Sequence, residues 1–485
     1  MRIPTYCLLA LAAAVALAPA AGAQFGNRPD DMHIHQIGYP SPGSRVALTF
    51  DVTAAPGPNL GYQAAVSQGW RGGVQLPGGQ VPLTPDSFFF VTAQNLLPSI
   101  FTGFGGKLDA QGRATASITV PPIPALDSVA LYMAFVVYDT TGVRGISRAH
   151  KFQILDRPQT AACGNTPSTG IEVVDLDGKS IVKSIPVGAG FAQSPFYDLS
   201  LRHILVSTWA GLFHQIDIHT NSVLQSFQFS SGVNNMVGGT TAMTTSGERA
   251  FVCNASSTAP SVVEVDLATF REVKNHLFPV GMGRCAGIAV RPFSSEALVT
   301  CFISTTSAIY QFDVESGAIA TVAALNTVDN PQDAVWRPQG DYVFVAQNGS
   351  ATSTFPPAVL AYDATQGYRL ARTIPIGTTM PGPAGIAMAP DGTYLYADSV
   401  AHNSVTKVDT DPASPGFLTV IKTIPFPAGW TSGGWMIRNY DGSKVYALLS
   451  TGLGELDTAT DQFSSIVVPT TSAAAIMSAR HRQDL

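Results

Sequence analysis

Seven times after residue 170 an aspartate closes a short strand-like run, and the spacing of these aspartates constrains the fold more than any other feature of the sequence. The runs are Glu172-Val173-Val174-Asp175, Gln215-Ile216-Asp217, Glu264-Val265-Asp266, Gln311-Phe312-Asp313, Ala361-Tyr362-Asp363, Lys407-Val408-Asp409 and Glu455-Leu456-Asp457. Successive aspartates are 42, 49, 47, 50, 46 and 48 residues apart. A period of this length, with four strand-like runs per unit, is that of β-propeller blades, because a single unit cannot bury both of its faces and must stack on its neighbours. At the end of a strand an aspartate carboxylate accepts from the N–H groups of the residues that follow and fixes the turn into the next strand. All seven are expected to do so.

A second element repeats in step with the first. In Pro383-Ala384-Gly385-Ile386-Ala387-Met388-Ala389-Pro390-Asp391-Gly392-Thr393-Tyr394-Leu395-Tyr396-Ala397 two apolar runs flank a Pro-Asp-Gly turn, the pattern of a β-hairpin. Related hairpins lie at Ala286 to Cys301, Gln332 to Ala346 and Gly433 to Leu448, with weaker versions at Thr240 to Cys253 and Ser194 to Ser207. Counting strands from the aspartates, the repeat starts in mid-blade near Ile171 and ends with an inner strand near Ala475. The last blade is therefore expected to be closed by strands from both ends, which protects the sheet edges.

Ahead of the repeat, 24–155 holds short apolar runs between turn clusters: Ser44 to Asp51, Gly73 to Pro82, Ala114 to Pro121, Ala130 to Asp139 and Gly145 to Ile154. No amphipathic helical period of useful length appears, and a β-sandwich is the expectation. Residues 156–170 read as a linker and 171–485 as a seven-bladed propeller, giving an all-β chain of 485 residues. Charged residues are only 12%, against 45 glycines and 34 prolines, which suits turn-rich β structure and argues against disorder. A net charge of -6 with no Lys/Arg run excludes a general nucleic-acid partner.

Residues 1–23 read as an export signal, with Arg2, an apolar stretch from Leu8 to Ala18, and Ala21-Gly22-Ala23 before Gln24. A periplasmic, cell-surface or extracellular location is expected. No later stretch approaches the ~18 apolar residues of a membrane-spanning helix. Removal of the signal leaves Cys163, Cys253, Cys285 and Cys301. These permit two disulfides in three pairings, or leave Cys253 and Cys301 as buried strand thiols. No Cys/His pair has zinc-ligand spacing, and neither a metal nor another cofactor is expected. His33-Ile34-His35 puts two imidazoles on one face of an extended segment, a geometry read here as a solvated strand end.

The motifs now carry a resemblance. Ile185-Pro186-Val187-Gly188 and Ile374-Pro375-Ile376-Gly377, the Pro383 to Gly392 pattern, and the recurring apolar-x-apolar-Asp resemble the YVTN-repeat β-propellers. This group includes lactonase-like proteins, surface-layer propellers and the quinoprotein amine dehydrogenase-like superfamily. The name-giving motif is degraded to Phe251-Val252-Cys253-Asn254, Phe344-Val345-Ala346-Gln347 and Tyr394-Leu395-Tyr396-Ala397-Asp398. The segment from Phe104 to Ala116, with Leu131-Tyr132 and Tyr138-Asp139, resembles an accessory sandwich of secreted proteins from environmental bacteria, planctomycetes especially.

Propellers bind at the channel mouth, where the innermost strands begin. Aligned on their turns, the hairpins place Pro195, Thr240, Gly287, Asp333, Gly385 and Trp435 there. Asp333 and Trp435 depart from the small or turn-forming rule, and Arg284, Gln332, Trp430, Asn234 and Asn235 lie close by in sequence. This set is the candidate site for a small polar ligand, a glycan or a protein: indoles supply apolar platforms and polar groups supply orientation. The leading expectation is a non-catalytic binding module. The alternative is a lactonase-like hydrolase using Asp333 and Arg284. His203 and His214 fall in one blade, close enough in sequence to meet across adjacent strands.

Overall fold

A computed structural model of the chain describes residues 32–466 and 477–479, apart from 38–39, 53–59, 71–72, 128, 156–159, 165–169, 189–191, 199–201, 231–240, 245–247, 256–258, 280–283, 293, 304–305, 324–327, 350–354, 440–441 and 451. The expected export signal lies outside the described residues. The chain divides into two compact units, Met1–Pro158 and Gln159–Leu485.

In the first unit one sheet runs in the order Met32–Ile37, Arg45–Val52, Arg113–Thr119, Phe101–Thr102. The other runs Gly142–Ile146, Ala130–Asp139, Gly61–Ser67, Gly105–Lys107, with His150–Gln153 also on Ala130–Asp139. Alternation along Arg45–Val52 buries Val46, Leu48 and Phe50 in a core shared with Tyr62, Val66, Met133 and Phe135 of the other sheet. The Phe50 ring lies 5.0 Å from that of Phe135 and 5.5 Å from that of Tyr62. One expectation fails here: a short helix, α1 (Ser87–Ala93), interrupts the strands. Its seven residues are too few to show a period, but Asp86 caps it by accepting from the Phe89 N–H at 2.8 Å.

Among the described residues the second unit contains seven four-stranded antiparallel sheets. The second to seventh are each one continuous run of chain: they begin with Ala192–Tyr197, Thr241–Met243, Arg284–Val290, Pro331–Trp336, Ile386–Met388 and Ser432–Arg438 as innermost strands. The first sheet is composite, because Met477–Ala479 pairs antiparallel with Thr160–Gly164, which continues into Gly170–Asp175 and Ser180–Pro186. Strands from both ends of the unit thus share this sheet. Segment 156–170 is accordingly more than a linker. Thr160–Gly164 is too short and its surroundings too rich in turn residues for its strand to show in the sequence.

Each sheet shares apolar side chains with the next. Phe213 and Leu205 pack with Met243 and Val263, Phe251 with Ile288 and Tyr310, Leu298 with Trp336 and Val345. The series continues through Phe344 with Ile386 and Leu395, Tyr396 with Met436 and Val445, and Tyr446 with Ala161 and Val174. Ala192–Tyr197 lies against both Thr160–Gly164 and Met477–Ala479, which closes the ring. Both faces of a middle strand are therefore covered: Val343 and Val345 face one neighbour, Phe344 and Ala346 the other. This explains why these strands read as continuous apolar runs rather than as alternating ones.

All seven repeat aspartates cap the turn between the third and fourth strands. Asp217 accepts from the N–H groups of His219 and Thr220 at 2.8 and 2.7 Å, and Asp457 from those of Ala459 and Thr460 at 3.1 and 2.9 Å. Asp175, Asp266, Asp313, Asp363 and Asp409 each accept from one or two N–H groups two or three residues on. The Thr460 N–H, the Lys444 ammonium and the Thr460 hydroxyl hold the Asp457 carboxyl at a pKa of about 2.

Each of these turns ends on a left-handed residue, and only one of the seven is glycine: Lys179, Asn221, Phe270, Gly317, Tyr368, Leu418 and Asp461. Several of them reach back to the preceding sheet. Phe270 stacks on Phe213 at 5.5 Å, Asp461 pairs with Lys407 at 2.9 Å, and Lys179 lies 3.7 Å from Glu455. Such contacts offset a backbone strain of about 1–2 kcal/mol per residue. At Gly317 the preceding sheet supplies the bulk instead. A Cβ there would lie 2.3 Å from Cε1 of His276, whose ring is held by the Glu264 carboxylate at 2.8 Å. Gly317→Ala is expected to cost about 2 kcal/mol in urea unfolding, from backbone strain plus overpacking. A shift below about 0.5 kcal/mol would show that His276 moves aside freely.

Candidate functional site

Antiparallel order gives the ring two different ends. At one lie the first-to-second and third-to-fourth connections, among them the Asp391-Gly392 turn and the seven aspartate turns. At the other lie the second-to-third connections, which range from two residues to ten, and the links between sheets, such as 376–385; Trp209, Trp430 and the one-turn helix Val400–His402 belong to this end. The innermost strands begin at this second end.

Four of the aligned mouth positions coincide with a break in the register of the innermost strand. The breaks fall between Gln193 and Phe196, Cys285 and Gly287, Pro331 and Ala334, and Ser432 and Met436. Bulges re-aim side chains and bend the strand. They also bring backbones together around the ring. A Cβ on Gly287 would lie 2.7 Å from the Gln332 carbonyl oxygen, and one on Gly385 would lie 2.7 Å from the Trp435 Cα. Glycine is required where the bulge of the next sheet presses in.

Asp333, the acid singled out from the sequence, sits in one of these bulges and is buried. One carboxylate oxygen accepts from the Ala334 N–H at 2.9 Å, and the other from the Ile386 N–H of the next sheet at 3.3 Å. Its neighbour Gln332 donates to Asn330 Oδ1 at 2.6 Å, while the Gln332 carbonyl accepts from the Thr300 hydroxyl at 3.1 Å. Arg284 is exposed at the head of the fourth sheet's innermost strand. Trp435 is half-buried against Ile437, Leu448 and Leu453.

Trp430 is not brought to this group. Its ring packs edge-on to Phe463 of the seventh sheet's outermost strand at 5.8 Å and fills the space over Gly454. Asn234, Asn235 and Thr240 lie outside the described residues. His203 and His214 do not meet: His203 stands opposite Asp217, and His214 opposite Val206. The His203 ring bonds to Asp198 at 2.8 Å, which raises its pKa, whereas burial lowers that of His214, bonded to Ser226 at 2.6 Å. The side chains of His33 and His35 lie outside the described residues. Among the described residues no group of three or more His, Cys, Asp or Glu side chains is placed to hold a metal ion.

A residue that sequence reasoning passed over lies beside Asp333. Asp398, fully buried, accepts from the N–H groups of Ala384 and Gly385 at 3.0 and 2.9 Å through one oxygen. Its other oxygen accepts from the Ser432 hydroxyl of the seventh sheet at 3.0 Å. Asp398 and Asp333 thus fix three successive N–H groups, those of residues 384 to 386. Burial pushes the Asp398 pKa up to about 6 although its hydrogen bonds oppose this. The available signal was an acid inside the apolar run Tyr394–Ser399.

No family model matches the sequence, and a search of curated proteins finds no match. Solved structures do resemble it. Kuenenia stuttgartiensis hydrazine synthase is 16% identical with a TM-score of 0.55, over 63% of this chain and 94% of that one. A protein of unknown function from Desulfotomaculum acetoxidans DSM 771 is 13% identical with a TM-score of 0.53, over 66% and 99%. The β-propeller domain of Cps50 (Swd1) from Myceliophteria thermophila is 11% identical with a TM-score of 0.49, over 61% and 93%. For the first two, at these identities, the likeness is one of fold; the closed ring of four-stranded antiparallel sheets is itself the architecture of a β-propeller.

Proposed function

We propose that the chain is an exported binding module: a seven-bladed propeller of the YVTN-repeat type, preceded by an accessory β-sandwich, that engages a small polar ligand, a glycan or a protein. The observation that carries this reading is the difference between the two ends of the ring. Turns closed on their own aspartates make one end rigid scaffold, while the links from sheet to sheet gather at the other end, where the strands of Arg284 and Trp435 begin. The half-buried indole of the seventh sheet and the exposed guanidinium of the fourth supply shape and charge at that end. Asp333 is buried and each of its carboxylate oxygens accepts from a backbone N–H, so it serves to seat one innermost strand on the next, which favours binding over hydrolysis.

The test is a screen of the mature protein against a glycan array and a library of acidic peptides, followed by titration of any hit. Arg284→Ala combined with Trp435→Ala is expected to weaken that hit at least about tenfold, the loss of roughly 1.4 kcal/mol. Asp333→Ala should instead lower stability. Affinity untouched by the double substitution, or turnover of a lactone that Asp333→Ala abolishes, overturns the reading. Cell fractionation tests export separately.

A further inference from the structure

The space between the third and fourth sheets holds three sulfurs, those of Cys253, Cys285 and Cys301, all buried. Two of them belong to adjacent strands of one sheet. Cys285 in Arg284–Val290 and Cys301 in Glu296–Ile303 are direct partners in the antiparallel register, and their Sγ atoms are 2.6 Å apart. Direct antiparallel partners have Cα atoms about 4.5–5.5 Å apart, inside the span that a disulfide bridges. Cys253 belongs to the neighbouring sheet, where its partner in register is Val262.

We propose that Cys285 and Cys301 form a cross-strand disulfide, with Cys253 remaining a thiol beside it. The oxidant is a small or protein-borne disulfide. One thiolate of the pair attacks it, forming a mixed disulfide and releasing one thiol. The second thiolate then attacks the protein sulfur of the mixed disulfide, closing the Cys285–Cys301 bond and releasing a second thiol. The two protons of the cysteines leave with the two released thiols, and the oxidant takes up the two electrons.

Timing follows from burial. Burial raises the pKa of all three cysteines, and hydrogen bonding between the pair adds to this at Cys285. Little thiolate exists once the sheets have closed, so exchange belongs to folding, before the third sheet covers the fourth. The finished bond is shielded from reductant. It also braces the strand that begins with Arg284 across its bulge between Cys285 and Gly287, the start of the proposed binding end.

The mature protein, reduced and unfolded, is refolded with reduced and oxidised glutathione and alkylated with iodoacetamide in denaturant. It is then digested with trypsin and a Glu-specific protease without reduction. Glu296 lies between the two cysteines, so a linked pair of peptides reports the bond. The expected result is a Cys285–Cys301 link with Cys253 alkylated, and in Cys285→Ser alkylation of Cys301 as well. The link should survive dithiothreitol in the folded protein and disappear in denaturant. Alkylation of both cysteines in the refolded wild type, or a link from either one to Cys253 or Cys163, overturns the proposal. So does equally fast reduction in the folded and unfolded states. Because refolding supplies the oxidant, the outcome is independent of export and of binding.

Discussion

Replacing Trp336 with alanine is expected to destabilise the protein by about 4 kcal/mol, the cost of emptying the volume of a large aromatic in a closed core. Only 2% of Trp336 is exposed. It stands at the end of the fifth sheet's innermost strand, and its indole N–H donates to the Ala289 carbonyl of the fourth sheet at 3.0 Å. The Arg291 guanidinium lies 5.6 Å from its ring, and Tyr368 meets it edge-on at 6.1 Å. Alanine removes the contact surface between two sheets and leaves a buried carbonyl without its donor. Trp336→Phe keeps most of the packing and loses the N–H, so it should cost about 1–2 kcal/mol. Urea unfolding followed by circular dichroism measures both. If the alanine variant falls within about 1 kcal/mol of wild type, Trp336 does not join the sheets in the way described.

Asp398→Asn is expected to have the opposite sign, stabilising the protein at neutral pH. With a folded pKa of about 6 against an ordinary 3.8, the folded state holds the Asp398 proton more tightly than the unfolded chain does. Below about pH 3 the group is neutral in both states and exacts no penalty. As pH rises from about 4 to 6 the unfolded chain ionises first, so stability falls, by up to about 3 kcal/mol once both states are charged. Asparagine fits the same contacts. Its carbonyl oxygen can accept from Ala384 and Gly385, and its amide can donate to the Ser432 oxygen, with no charge to bury. The variant should match wild type near pH 3 and exceed it by about 1–3 kcal/mol at pH 7.5. Equal pH slopes for the two proteins would remove burial of Asp398 as the cause.

The two residues illustrate what could be read from the chain alone. Trp435 drew attention because it occupies an aligned mouth position and Trp430 because it lies nearby in sequence, yet the tryptophan that joins two sheets most fully is Trp336, hidden in an ordinary apolar run. Asp333 was found as an exception to a small-residue rule, and that rule has a physical basis in the close approach at Gly287 and Gly385. Its sequence position did not reveal that it accepts from Ile386, 53 residues on. Asp398, fully buried, broke no pattern that spacing could register.

The sequence by itself determined what neighbours along the chain decide. The aspartate turns form between groups a few residues apart, so their recurrence exposed the repeat, and the Pro390-Asp391-Gly392 turn exposed the hairpin. Tertiary structure decided how strands and sheets distant in the chain come together within the ring. These contacts include the pairing of Thr160–Gly164 with Met477–Ala479, the bulges that seat one innermost strand against the next, and the packing of Cys253 beside Cys285 and Cys301 of the next sheet. Such contacts join residues whose proximity depends on how whole sheets pack, and packing chooses among many apolar runs of nearly equal composition. The ring was therefore legible in the chain, while the groups that hold its sheets together and shape its mouth became visible only once the sheets were placed side by side.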